Sequence, residues 1–122
     1  MSLLSRVSFA LLAGSLPLMP VAAHHGWGWA TNEEFTLDGT VKSARHGNPH
    51  GEMVLVTRSG TWTVEIGQPW RNAGAGLTEA MLKPGTKLRV HGHRSARKNQ
   101  RLMKAERIVI AGKLYDLYPD RS

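Results

Sequence analysis

Several stretches of this chain alternate apolar and polar residues with a period of two, and that pattern commits it to β structure. In Thr61–Ile66, Trp62, Val64 and Ile66 face one way while Thr61, Thr63 and Glu65 face the other. From Phe35 to Val41, Phe35, Leu37, Gly39 and Val41 share one side and Thr36, Asp38 and Thr40 the opposite one. Successive strand residues point to opposite faces, so such runs are half-buried strands. Lys87–Gly92 repeats the pattern, with Leu88 and Val90 inward and Lys87, Arg89 and His91 outward. Met53–Thr57 is a further apolar run and ends in Arg58-Ser59-Gly60, a hairpin connection. Leu102–Ile110 supplies the fifth strand, and its alternation changes phase between Ala105 and Ile108, which predicts a bulge.

Between the third and fourth strands the texture changes. Gly67-Gln68-Pro69 breaks the strand, Asn72–Gly76 reads as a loop, and Leu77–Lys83 predicts one or two helical turns stopped by Pro84-Gly85. Three strands, a short helix and two more strands is the order of a small five-stranded OB-like barrel, an all-β fold. Closure also removes the edges that a small open sheet would have to protect. The tail from Lys113 to Ser122, with Tyr115, Leu117 and Tyr118, either packs across the barrel or hangs free.

Residues 1–23 read as a secretory signal peptide. Arg6 gives a short basic start, Val7–Met19 an apolar stretch, and Val21-Ala22-Ala23 a small-residue cleavage site. Broken by Gly14 and Pro17, the stretch is too short to span a bilayer, which takes about 20 apolar residues. Cleavage leaves one domain, 24–122, that begins with His24 and His25 and has no further membrane-spanning segment. Cysteine is absent, so neither disulfides nor a lipid-attachment site are available, and a periplasmic or secreted protein is expected. The chain carries 16 Lys and Arg against 9 Asp and Glu, a balance that favours anionic partners.

Histidine is the residue type that carries chemistry here. A free terminal amine beside His24 and His25 makes a compact nitrogen set suited to copper, zinc or nickel. His46 and His50 flank Gly47-Asn48-Pro49, and the proline fixes the turn that presents His50 just before the second strand. The expected metal ligands are therefore the amine, His24 and His50, with His25 as an alternative to His24. His46, His93 and Met53 are additional candidates, and Met103 would add a second soft sulfur if it faced the site. His91 and His93 lie on one strand face with Lys87 and Arg89, which predicts a solvent face and a cationic neighbourhood unfavourable to metal.

Motifs in the same order characterise a family. His24-His25 after the signal, Gly39-Thr40-Val41, Asn48-Pro49-His50, Trp62-Thr63-Val64-Glu65-Ile66-Gly67 and Leu82-Lys83-Pro84-Gly85 resemble the small exported bacterial proteins of the DUF6152 family. The resemblance spans nearly the whole chain after the signal and implies export and a small β-barrel, without an assigned activity. The chain departs from the family at His46, where an aromatic residue is frequent, and at Ala75-Gly76-Leu77, where Gly-Trp-Thr is more usual.

Three function classes remain open. The first is a periplasmic copper-binding protein. The second is an OB-type module whose basic loop, through Arg94, Arg97, Lys98 and Arg101, binds an anionic glycan or lipid headgroup; export argues against nucleic acid. The third is an enzyme, because two imidazoles and a terminal amine resemble the histidine brace of copper oxygenases. The chain has no cysteine nucleophile and its sequence shows no evident carboxylate pair or Ser-His-Asp arrangement, with Glu52 and Glu65 candidates by residue type alone.

Overall fold

A computed structural model describes residues 26–121; the signal segment, His24 and His25 lie outside the described residues. Six strands form one sheet: β1 (Phe35–Arg45), β2 (Glu52–Thr57), β3 (Gly60–Glu65), β4 (Lys87–Arg94), β5 (Leu102–Ile110) and β6 (Lys113–Asp116). Their order is β3-β2-β1-β4-β5-β6, and a parallel pairing of β3 with β5 closes the first five into a barrel. This is the OB-like architecture that the strand order predicts. β1 serves two partners, pairing with β4 over Phe35–Thr40 and with β2 over Thr40–Arg45. The register shifts between Val41 and Ser43 on the β2 side, which bends β1 from one neighbour to the other.

The inward set fills the barrel as the period-two reading predicts. Leu37, Val41, Leu55, Val64, Val90 and Ile108 are buried in one cluster, and Leu77, Leu82, Tyr115 and Leu117 belong to it. The phase change in β5 is a bulge: His91 pairs with Arg107 and Gly92 with Ala105, leaving Glu106 as the extra residue. Gly92 is required there, because a side-chain methyl would overlap the Lys104 carbonyl oxygen.

The helix stands at a different place from the one expected. α1 is Pro69–Gly74, and Leu77–Lys83 supplies only a single 3-10 turn at Glu79–Leu82. The physical reason is proline at both ends: Pro69 suits the first turn of a helix, whereas Pro84 cuts the second segment short. Asn72 locks α1 to the end of β3, its Oδ1 accepting from Gly67 N at 2.9 Å and its Nδ2 donating to Gly67 O at 2.8 Å. The tail packs. A two-residue turn, Ala111-Gly112, with φ of 50° and 78°, returns it as β6, as a type I′ hairpin does. At the other end of the domain the arm 27–31 ties onto the β4–β5 loop. Thr31 N donates to Arg94 O and Ala96 N to Trp29 O, both at 2.9 Å. Among the described residues no helix is long and apolar enough to cross a membrane.

On the outer face Arg89 donates two hydrogen bonds to Asp38, at 2.7 and 3.0 Å, and these hold the Asp38 carboxyl below the usual carboxylate range. The stability it gives is present at neutral pH and lost as pH falls through that lowered pKa; exposure keeps it small. The bulge matters far more. Gly92→Ala should destabilise the domain by about 3 kcal/mol or more, read as a lowered urea midpoint with an unchanged m-value.

Candidate functional site

Barrel closure sets charged residues side by side on the outer wall. Glu65 on β3 is the register partner of Lys104 on β5, and Lys104 is in turn the partner of His93 on β4. Strand alternation turns all three away from the core, yet all three are buried. Trp27 of the N-terminal arm and Tyr118 of the tail lie over them, with ring centroids 5.0 Å apart and edge to face. His93 is thereby corrected from the solvent position that its strand face predicts. It faces outward, but Trp27 covers it at 5.4 Å and its Nε2 lies 2.9 Å from Glu106 Oε2.

Lys104 Nζ donates to Glu65 Oε1 at 2.9 Å, with side chains only 5% and 9% exposed. The same ammonium sits 5.0 Å from the Trp27 ring centre and 5.5 Å from that of Tyr118, where the electron-rich faces favour a cation. Arg71 of α1 stacks on Tyr118 at 4.2 Å and donates to Leu117 O at 3.1 Å. Arg121 stacks on Trp27 at 4.0 Å. Rings and cations thus alternate in a second layer outside the barrel.

A cleft of about 490 Å³ opens beside this layer. Gly26 and Trp27 line it, as do Pro49 and His50, with Arg71, Lys104 and Arg121 contributing cationic walls and Asp120 a carboxylate. The Asn48–Pro49 peptide that leads into His50 is cis. His50 Nδ1 lies 3.3 Å from the Gly51 carbonyl oxygen, and a carbonyl can only accept, so Nδ1 carries the hydrogen. In the neutral ring Nε2 is then the lone-pair nitrogen, and it stands 3.6 Å from Glu65 Oε2.

The other candidates go elsewhere. His46 lines a separate pocket with Asn72 and Leu77. Met53 and Met103 are fully buried in the barrel core, so neither sulfur faces the cleft. His91 is bonded to Thr36 Oγ1 at 3.1 Å and lies 3.9 Å from Glu34. Arg94, Lys98 and Arg101 line a different groove that shares no residue with the cleft, while Arg97 is exposed and lines neither. Among the described residues no group of three or more His, Asp or Glu comes together to hold a metal ion. His24 and His25 lie outside the described residues, directly before Gly26 in the cleft wall.

Lys104, Arg71 and Arg121 are the residues that sequence reasoning passed over, and it singled out Glu65 by residue type alone, without its partner. The available signal was an acid and a base on the outward faces of β3 and β5, the two strands that meet when an OB barrel closes. Removing one partner of this pair should be costly and removing both should not. Glu65→Gln should destabilise by about 3–5 kcal/mol by stranding the Lys104 charge, whereas the double variant Glu65→Leu/Lys104→Met should stay close to wild type. Chemical denaturation of the three proteins checks this.

Fold and site together define a small closed barrel of OB type with a polar cleft on its outer wall. The chain belongs to the DUF6152 family, described as a family of unknown function, whose model matches residues 12–103. No curated protein matches it. Among solved structures it is similar to TiaS in complex with a tRNA and ATP, at 16% identity and a TM-score of 0.51, covering 64% of this chain and 18% of that one. It is also similar to a ZRD-deleted mutant of TiaS in complex with agmatine, at 15% identity and a TM-score of 0.52, covering 70% and 26%. The chain thus spans about a quarter or less of those proteins, and the likeness is one of fold.

Proposed function

We propose that this is an exported, periplasmic metal-binding protein. Its ion is held by the mature N-terminal amine and His24, with His25 as the alternative, together with His50. The observation that carries the reading is that His50 and Gly26 line the same cleft. Gly26 directly follows the two histidines, so in sequence the proposed nitrogen set adjoins the wall that holds His50.

His50 is suited to the task. The Gly51 carbonyl fixes its tautomer and leaves Nε2 as the donor, the arrangement that outer-shell partners give to metal-bound histidines. Glu65 stands 3.6 Å from that nitrogen and offers a carboxylate oxygen on the same side. The cationic walls work against a weakly held ion. Arg71, Lys104 and Arg121 oppose any bare cation, so binding must draw on strong nitrogen coordination. That favours copper(II), which stands highest among divalent first-row ions with such donors, ahead of zinc or nickel.

One Cu(II) per chain should bind protein whose mature start at His24 has been confirmed by mass spectrometry. His50→Ala should weaken binding by more than the about 10–100-fold typical of losing an outer-shell partner. Adding one N-terminal methionine should do likewise by displacing the amine, while His91→Ala should change little. Affinity should fall as pH is lowered, because imidazole and amine bind metal only when deprotonated. Electron paramagnetic resonance of the copper form decides the matter: a spectrum unaltered by both the extension and His50→Ala would eliminate this site.

A further inference from the structure

The groove lined by the β4–β5 loop shares no residue with the cleft that holds His50. We infer that it takes an acidic oligosaccharide, a polyhydroxylated chain bearing carboxylate or sulfate groups. About 700 Å³ lies between the β2–β3 hairpin and the loop. Its lining contains three cations, Arg94, Lys98 and Arg101, and no carboxylate. Ser59, Thr61 and Asn99 add hydroxyl and amide groups that match sugar hydroxyls.

The loop that carries these cations is built rather than slack. Ser95 is buried, its N donates to Leu102 O at 2.8 Å, and its Oγ donates to Gln100 Oε1 at 2.7 Å and accepts from Arg97 N at 3.1 Å. Gln100 N donates to Arg97 O at 3.0 Å, and Arg101 O accepts from Thr63 N at 2.9 Å on the neighbouring strand. Arg94 is the best held of the cations. Its guanidinium lies 5.2 Å from the Trp62 ring centre and 5.5 Å from that of Phe35, and its NH2 donates to Lys98 O at 3.1 Å. Its buried Nε has no hydrogen-bond partner among the described residues. A charge fixed in this way loses little side-chain freedom when an anion arrives, which strengthens binding.

The geometry selects the ligand class. A membrane surface is flat and is gripped through exposed apolar side chains or an open polybasic face. This site is a shallow groove with cations confined to its lining, and the exposed large apolar residues Val56, Trp70 and Leu114 all lie outside it. Single-stranded nucleic acid needs aromatic faces on which bases stack. Here Trp62 is 4% exposed, Phe35 packs on it at 5.2 Å, and Arg94 overlies both rings. The part-buried Phe35 leaves some apolar surface in the groove, and the rest of the lining offers charge and hydrogen-bonding capacity, which suits an anionic sugar chain.

The test uses the folded mature protein stripped of metal with a chelator, so that its result is separate from that of the copper site. The probe is a tetragalacturonate, titrated calorimetrically at low salt. It should bind at one per chain, and binding should weaken as salt shortens the screening length. Lys98→Ser and Arg101→Ser should each lower affinity about tenfold, the scale of one charge-assisted hydrogen bond. Arg97→Ser removes the same charge from the same loop outside the groove and should lower it less than about twofold. Circular dichroism confirms that each variant remains folded. Equal losses from all three variants would mean diffuse surface attraction and overturn the site. So would failure of the sugar to bind, or preferential binding to phosphatidylglycerol vesicles or to an oligodeoxythymidylate.

Discussion

Everything distinctive about this domain follows from the seam where β3 and β5 pair in parallel. That pairing closes the barrel, and its register sets Glu65 beside Lys104 with His93 next in line. On an open sheet these outward positions would be wet, and a Lys–Glu pair there would contribute little. Covered by Trp27 and Tyr118, the pair lies in a low-dielectric site where the two charges depend on each other. The covering elements depend on it too, since the rings find their cationic partners among Lys104, Arg71 and Arg121. Closure, the buried pair and the outer layer therefore form a chain of consequences.

Much of the barrel was legible in the sequence because its physics is local. Period-two alternation marked four strands and an apolar run the other, and the phase change between Ala105 and Ile108 predicts the bulge that the structure places at Glu106. The helix lies earlier than Leu77–Lys83 because Pro69 starts it after the strand break, whereas Pro84 leaves that later segment a single 3-10 turn. β6 was undecided because a four-residue edge strand after a two-residue turn carries almost no periodic signal.

The site was far less legible. His50 was found, because an Asn-Pro turn is a local device. The pairing of Glu65 with Lys104 was not, because it is a register between residues 39 apart in the chain and depends on burial of outward positions by the two chain ends. His93 failed for the same reason: alternation states which way a side chain points but not what later packs over it. The methionines show the converse, since soft donors in the sequence became core volume.

The two layers differ in how they are held. Inside the barrel the cohesion is a ladder of strand hydrogen bonds around a dry apolar cluster, and it yields only when the sheet comes apart. Outside it, the N-terminal arm rests on stacked rings and guanidinium groups, tied by a few backbone hydrogen bonds such as those between Thr31 and Arg94 and between Trp29 and Ala96, whereas the tail is anchored by the β5–β6 pairing and by Leu117 in the core. Proteins open in cooperative units of unequal free energy. An opening of the arm alone would take Trp27 off Lys104 and His93 and let water reach them while the barrel hydrogen bonds persist. Amide protection should accordingly divide along the boundary between wall and cover.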